Sequence, residues 1–250
     1  MAKLLLCHCE ILHSVEKEYA CDLYVARVGL AAKLTDLGFL KGMIAECIVS
    51  TYNIDGKPSA APMGVIMEDE QHLIIHLFNS STTCSNIKAN RCAIINLTSN
   101  IEVFYKITFK EANIDGQLPQ GWFEKAKTVN APKLRLADAT IDVLVSDLAP
   151  IGTLKTRATC DVELVQAILK FPQVHCRAMD ATLEAIIHAT RVKAFLNGEG
   201  EQKKVSKLLK LIDNCNDVVN RVAPNSSYSI VMADLIERID SWRNKTEGLR

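Results

Sequence analysis

No apolar run in this 250-residue sequence reaches the ~18 residues a membrane-crossing helix needs, so no span is predicted. An excess of one charge sign is missing too. Twenty-nine basic residues balance 29 acidic ones, which argues against a dedicated nucleic-acid binder. There is no Gly-x-x-x-x-Gly-Lys-Ser/Thr loop and no Gly-x-Gly-x-x-Gly, so P-loop hydrolysis and a dinucleotide fingerprint drop out. Gly-x-Ser-x-Gly and His-Glu-x-x-His are equally absent, which removes the serine-hydrolase elbow and the zincin helix. The nine cysteines are odd in number and scattered. Cys7-His8-Cys9 has no second ligand pair to complete a structural zinc site, so no metal is expected. Charges at Glu10, Glu16, Lys17 and Glu18 close off the short apolar opening, and no small-residue cleavage site stands out. A cytoplasmic protein with reduced thiols is the expectation.

What is present changes character along the chain. Residues 1–40 read either as an N-terminal extension beyond the main domain or as carrying a short helix that ends at Gly38 or Gly42. Residues 41–171 read as a mainly β domain. "MIAECIVST" is β-rich, Asn53 to Gly56 turns it, and "SAAPMGVIM" returns. "HLIIHLF" alternates as a strand and places His72 and His76 on one face, "RCAIINLT" is another strand, and "IEVFYKITFKE" reads as one more. Residues 119–135 read as a loop with a short helix, before two long closing strands. Short spacings and hairpin turns favour an antiparallel closed or split barrel over a parallel sheet. Residues 172–250 switch to helical period in three amphipathic segments: one capped by Asp180 and stopped at Asn197-Gly198, one ending before Pro224, one capped by Ser226 or Ser227. On the first, Leu183, Ile187 and Ala194 are the expected core face, and Glu184, His188, Arg191 and Phe195 form a separate stripe.

Two stretches invite a ligand. The strand Ser59-Ala60-Ala61-Pro62-Met63-Gly64 is nearly bare of side chains, which suits either close approach by a flat molecule or a sheet face crossed by a helix. Asn79-Ser80-Ser81-Thr82-Thr83 opens a helix directly after a strand, and clustered hydroxyls at a helix N-terminus suit a phosphate. Plain capping needs only one such hydroxyl.

The strand, the Ser/Thr-rich turn and the following "NIKANRCAIINL" resemble the flavin-reductase type of FMN-binding split barrel. The hairpin "ECIVSTYNIDGKPSAAPMGV" resembles an archaeal family of unknown function with that fold, as do "APKLRLADATIDV" and "EAIIHATRVKAF". The resemblance spans about residues 43–225 and implies a split β-barrel followed by a helical C-terminal domain, FMN as cofactor, and a homodimer. It implies that Ser81, Thr82 and Thr83 hold the FMN phosphate, that Asn86 braces that turn, and that Thr51, Pro62, Met63 and Gly64 line the isoalloxazine. The turn lacks the Arg of many flavin reductases, and Arg191 is the candidate to replace its charge. A flavin-reductase-like oxidoreductase on a small molecule, fed by a nicotinamide or deazaflavin donor, is the leading function. A non-catalytic flavin carrier or sensor, or an assembly module without flavin, is the alternative.

Overall fold

A computed structural model describes residues 29–168, 176–196 and 201–247. Alternating apolar and polar residues build long antiparallel strands, because a period of two buries one face of each. In chain order they are β1 (Gly29–Ala31), β2 (Ile44–Tyr52), β3 (Pro58–Met67), β4 (His72–Phe78), β5 (Cys92–Leu97), β6 (Phe123–Lys125), β7 (Pro132–Leu134), β8 (Ala139–Ile151) and β9 (Lys155–Ile168). β9, β4, β3, β2, β5 and β8 lie side by side in that order, and β8 pairs back onto β9, closing a six-stranded barrel. β1 adds to the free part of β9, with Gly29 opposite Ile168. Cys47, Val49, Val65, Leu73, Ile75, Ile95, Ile141, Val143 and Ala158 fill the interior.

Residues 29–40 belong to this core rather than trailing from it. Leu34 and Phe39 are buried in the barrel cluster, and the turn at Thr35–Leu37 ends on left-handed Gly38. The segment before residue 29, with Cys7 and Cys9, lies outside the described residues, as does Asn197-Gly198.

Helix α1 (Thr82–Asn90) plugs one end of the barrel through Cys84 and Ile87. The segment expected as a strand at residues 101–111 is instead helix α2 (Ile101–Thr108). Asn100 decides this: its Oδ1 accepts from the amides of Glu102 at 3.0 Å and Val103 at 3.2 Å, an N-cap that starts a helix whatever the β-propensity downstream. Residues 119–135 hold a short helical turn, Gln120–Trp122, and then the β6–β7 hairpin in place of a loop.

Helices α3 (Arg177–Phe195), α4 (Gln202–Val222) and α5 (Ser227–Glu247) form a layer in which α3 and α5 pack on α2, and α2 in turn lies on β3. That layer, α2, Ile48 and Ala60 share one apolar cluster. Asp180 sits in the first turn of α3 and is not its cap, which falls at Cys176. The face of α3 that is fully buried carries Ala178, Thr182, Ala185, Ile186, Ala189 and Val192, whereas Leu183 and Ile187 are half-buried and Ala194 is exposed. Three alanines and Thr182 let the helices approach closely, and Ile186 and Val192 are the larger side chains that fill the interface. Ser226 caps α5, its Oγ accepting from the Ser229 amide at 3.4 Å. Tyr105 of α2 donates to Asp234 and accepts from Arg238 of α5, joining α2 to the helical layer.

Candidate functional site

β3 is paired with β2 along its whole length, and β4 with β9 along its whole length. Between β3 and β4, pairing is confined to Val65–Ile75, Ile66–Ile74 and Met67–Leu73. Beyond it, toward Ala60–Gly64 on one side and His76–Phe78 on the other, no ladder joins the two strands among the described residues. Each strand presents an unpaired edge there, with alternate N–H and C=O groups facing the split. The bare segment lies on this edge. Ala60 is 1% exposed beneath the helical layer, so its small size answers to packing. Ala61, Pro62, Met63 and Gly64 are half-buried and open onto the split. A Cβ on Gly64 would lie 2.8 Å from Ile44 Cγ2, so Ile44 also requires glycine there unless it moves.

At the end of β4 the chain turns through Asn79 and Ser80 into α1. Ser81 is the N-cap: its Oγ accepts from the Cys84 amide at 3.2 Å and donates to the Phe78 carbonyl at 2.8 Å. The amides of Thr82 and Thr83 occupy the first turn, where helix geometry supplies no acceptor, and the dipole favours an anion. Thr82 is exposed and Thr83 is buried at 3%. Asn79 fixes the turn to the β8–β9 hairpin, accepting from Thr156 Oγ1 at 2.6 Å and donating to the Thr153 carbonyl at 3.1 Å. Asn86 braces a different element from the one expected. Its Nδ2 donates to Thr51 Oγ1 and Asn53 Oδ1, both at 2.9 Å, tying α1 to the β2–β3 hairpin. Thr51 is thereby spent inside the barrel, 1% exposed.

Arg191 stands with a different set of groups. Glu46 is directly opposite Gly64 on the outer face of β2, and Glu184, His188 and Arg191 of α3 reach the same place. Glu46 is exposed as a residue, but partial desolvation of its carboxyl holds it above its ordinary range; Glu184 adds to this and Arg191 opposes it. Burial likewise lowers the pKa of His188, against the pull of Glu184, whose Oε2 is 3.8 Å from His188 Nε2. His188 Nδ1 is buried without a partner, which favours the neutral ring with its proton on Nε2. The structure therefore brings Gly64 and Arg191 together through Glu46, and Ser81, Thr82 and Thr83 together at α1. No contact joins Arg191 to that turn among the described residues.

A groove of about 820 Å³ runs along the exposed face of α1, bounded by the Tyr52–Gly56 turn and by Lys125 and Asn130 of the β6–β7 hairpin. Buried polar bonds fix that hairpin. Asn96 Oδ1 accepts from the Leu134 amide at 2.8 Å, Ser50 Oγ donates to the Pro132 carbonyl at 2.5 Å, and Thr128 Oγ1 donates to Asp142 at 2.6 Å. Sequence reasoning missed Tyr52, Lys125 and Asn130, since only the docking of the hairpin brings them to α1.

The titratable groups elsewhere give no sign of nucleophilic or metal chemistry. Burial pushes the Cys47 and Cys160 thiols up to about 12, so neither is a thiolate at neutral pH. No group of three metal-ligating side chains occurs among the described residues. His72 bonds Asp69 through Nδ1 at 2.8 Å as a surface pair, and His76 is exposed.

Residues 45–166 match the family model described as Protein of unknown function (DUF447) N-terminal domain. An FMN-bound protein from Methanosarcina mazei, assigned to the same family, is 26% identical; the match covers 82% of this chain and 99% of that one, with TM-score 0.65. Weaker likenesses reach a split-barrel protein from Shewanella frigidimarina assigned as a flavin reductase, at 13% identity over 55% of this chain and 75% of that one with TM-score 0.44. The flavoredoxin of Desulfovibrio vulgaris is 16% identical over 50% of this chain and 69% of that one, with TM-score 0.40. No curated protein matches. The split β-barrel with a helical C-terminal part stands as read from the sequence, and so does the resemblance to a flavin-reductase-like family of unknown function.

Proposed function

We propose that the chain is an FMN-binding flavoprotein that works as an oxidoreductase on a small molecule, with the flavin seated in the split between β3 and β4. The observation that carries this is the convergence of two unpaired strand edges, one of them nearly bare, on the first turn of α1. The FMN-bound relative from Methanosarcina mazei, matched over 82% of this chain, supports the choice of cofactor. In this reading Thr82 and Thr83 offer their free first-turn amides to the phosphate, and Ser81 holds the turn in shape. Gly64 offers its backbone amide and carbonyl to the polar rim of a flat ring, Pro62 offers its carbonyl alone, and Met63, whose backbone faces β2, lines the ring with its side chain.

When bound, FMN supplies the electron and hydride chemistry, so the protein needs no strong acid or base of its own. What the chain does is bind, orient and exclude water. Glu46, Glu184, His188 and Arg191 set the charge beside Gly64, where a substrate meets the ring. Arg191 is exposed near Glu46 and its charge opposes that of the Glu46–Glu184 pair, which suits it to that edge of the site. Ile44, Phe78 and Leu154 are 62%, 57% and 71% exposed around the split, an apolar rim that a second copy of the chain would cover in a homodimer.

Flavin content and mass in solution test this together. The expected result is a yellow dimer with stoichiometric FMN, reduced anaerobically by NADH, NADPH or a reduced deazaflavin. A colourless protein that takes up no added FMN would overturn the reading. A yellow protein that none of these donors reduces would leave a flavin carrier or sensor.

A further inference from the structure

We propose that the groove along α1 is a second ligand site, shaped for a small phosphorylated molecule with a flat hydrogen-bonding ring, of which a purine mononucleotide is the simplest form. The groove is distinct from the split: none of Ala60–Gly64 or His76–Phe78 lines it, and of Ser81, Thr82 and Thr83 in the phosphate turn it takes only Thr82. Its volume of about 820 Å³ falls within the roughly 300–1,000 Å³ usual for sites that bind such molecules.

Each part of such a ligand finds its chemistry on the walls. Tyr52 offers a half-buried aromatic ring, and Ile54 stands fully exposed on the neighbouring turn, an apolar flap that a flat ring would cover. Asn130 carries the paired donor and acceptor of an amide, the group that reads adenine edges in nucleic acids, while Asn90 has already given one amide proton to the Tyr52 carbonyl at 2.9 Å. Asn86 is 7% exposed, and both of its amide protons are spent on Thr51 and Asn53. Its Oδ1 has no protein partner among the described residues and reaches solvent, an acceptor on the groove wall open to a donor such as a ribose hydroxyl. The neighbouring cations Lys133 and Arg135 are both paired with Glu124, at 3.1 and 3.4 Å. Lys125, on the same rigidly docked hairpin, makes no ion pair among the described residues and lines the groove, leaving its charge for an anion.

Equilibrium dialysis of the FMN-loaded protein with 5′-AMP and with adenosine decides the matter. Saturable AMP uptake with unchanged flavin absorbance is expected, and adenosine should bind about tenfold more weakly, since it lacks a charge-assisted contact. Lys125→Gln should bring AMP down to the affinity of adenosine without altering flavin content, and Asn130→Ala should weaken both. The site is overturned if neither compound binds, or if Lys125→Gln leaves AMP unaffected. It is equally overturned if AMP expels FMN in proportion to its own uptake, which would make the groove the phosphate end of the flavin site. Should the protein take up no FMN at all, the same titration on flavin-free protein still tests the groove, so the two failures are separable.

Discussion

Replacing Asn96 by alanine should unlock the β6–β7 hairpin from the barrel. Asn96 is fully buried; its Nδ2 donates to the Ile48 carbonyl and Ser50 Oγ at 2.9 Å and to the Ile94 carbonyl at 3.2 Å. Its Oδ1 receives the Leu134 amide at 2.8 Å, the bond that holds the hairpin. Alanine removes all four and leaves the Leu134 N–H stranded against an apolar wall. A stranded buried group costs about 1–3 kcal/mol, and a lost neutral hydrogen bond about 1 kcal/mol. Ser50 Oγ keeps its bond to the Pro132 carbonyl, so the sum is less than four independent losses. A destabilisation of about 3–5 kcal/mol is the expected total. Native-state hydrogen exchange locates it: opening the hairpin by about 3 kcal/mol should speed exchange at the Leu134 amide by roughly 100-fold. Urea unfolding gives the global figure. A protected Leu134 amide together with a global change under about 1 kcal/mol would refute the reasoning. Phe123 and Leu134 would then hold the hairpin by apolar packing alone.

Ser81→Ala removes the cap of α1 and should lower stability by about 1 kcal/mol, read as a shift in the urea midpoint at unchanged slope; no shift would mean that the turn caps itself. Glu46→Gln tests the cluster beside Gly64. In the unfolded chain this carboxyl ionises near 4.5, while the folded protein holds its proton to higher pH through partial desolvation and Glu184, with Arg191 opposing and neutral His188 alongside. Stability is therefore lost as pH rises from the unfolded value through the folded one, and Gln, with no proton to lose, avoids that loss. The variant should be more stable than the wild type at neutral pH and equal to it below the ordinary carboxylate range; a difference that persists in acid would point to a lost contact and not to charge. Tyr105→Phe removes a hydroxyl shared by Asp234 and Arg238, and should weaken the protein by about 1–2 kcal/mol in denaturant unfolding; an unchanged midpoint would show that this junction contributes nothing net.

Elements with a period of two, such as "HLIIHLF" and the first half of the last strand, were legible because burial of one barrel face dictates that pattern, while the strand before it, buried on both faces at its start, was legible from its β-branched run. Residues 101–108 misled because Ile, Val, Phe and Tyr favour strands, while the cap at Asn100 together with burial of Ile101, Phe104, Tyr105 and Ile107 against the helical layer fixes the helix. The buried face of α3 was missed because close helix packing selects alanine, which hydrophobicity alone ranks below leucine. At the site, the bare strand and the Ser/Thr turn announced themselves locally. Lys125 and Asn130 did not, because a short hairpin in an apparently irregular stretch carries them to α1, and Ser50 and Asn96, far away in sequence, set where it docks.

β9 is the strand on which the rest of the barrel depends. It pairs with β4 and β1 along one edge and with β8 along the other, and Gly29 finds its partner only at Ile168. On a ribosome adding roughly 5–20 residues per second, β1 waits on the order of ten seconds for that partner to be synthesised. Through that interval the β4 edge that will meet β9 lies unpaired, a template for any other extended chain. Contacts this far apart in sequence also make barrel closure slow, since the loop must close before any bond forms. The barrel therefore completes late and all at once. A chain truncated before Lys155 should emerge as an aggregation-prone set of open strands and not as a smaller barrel.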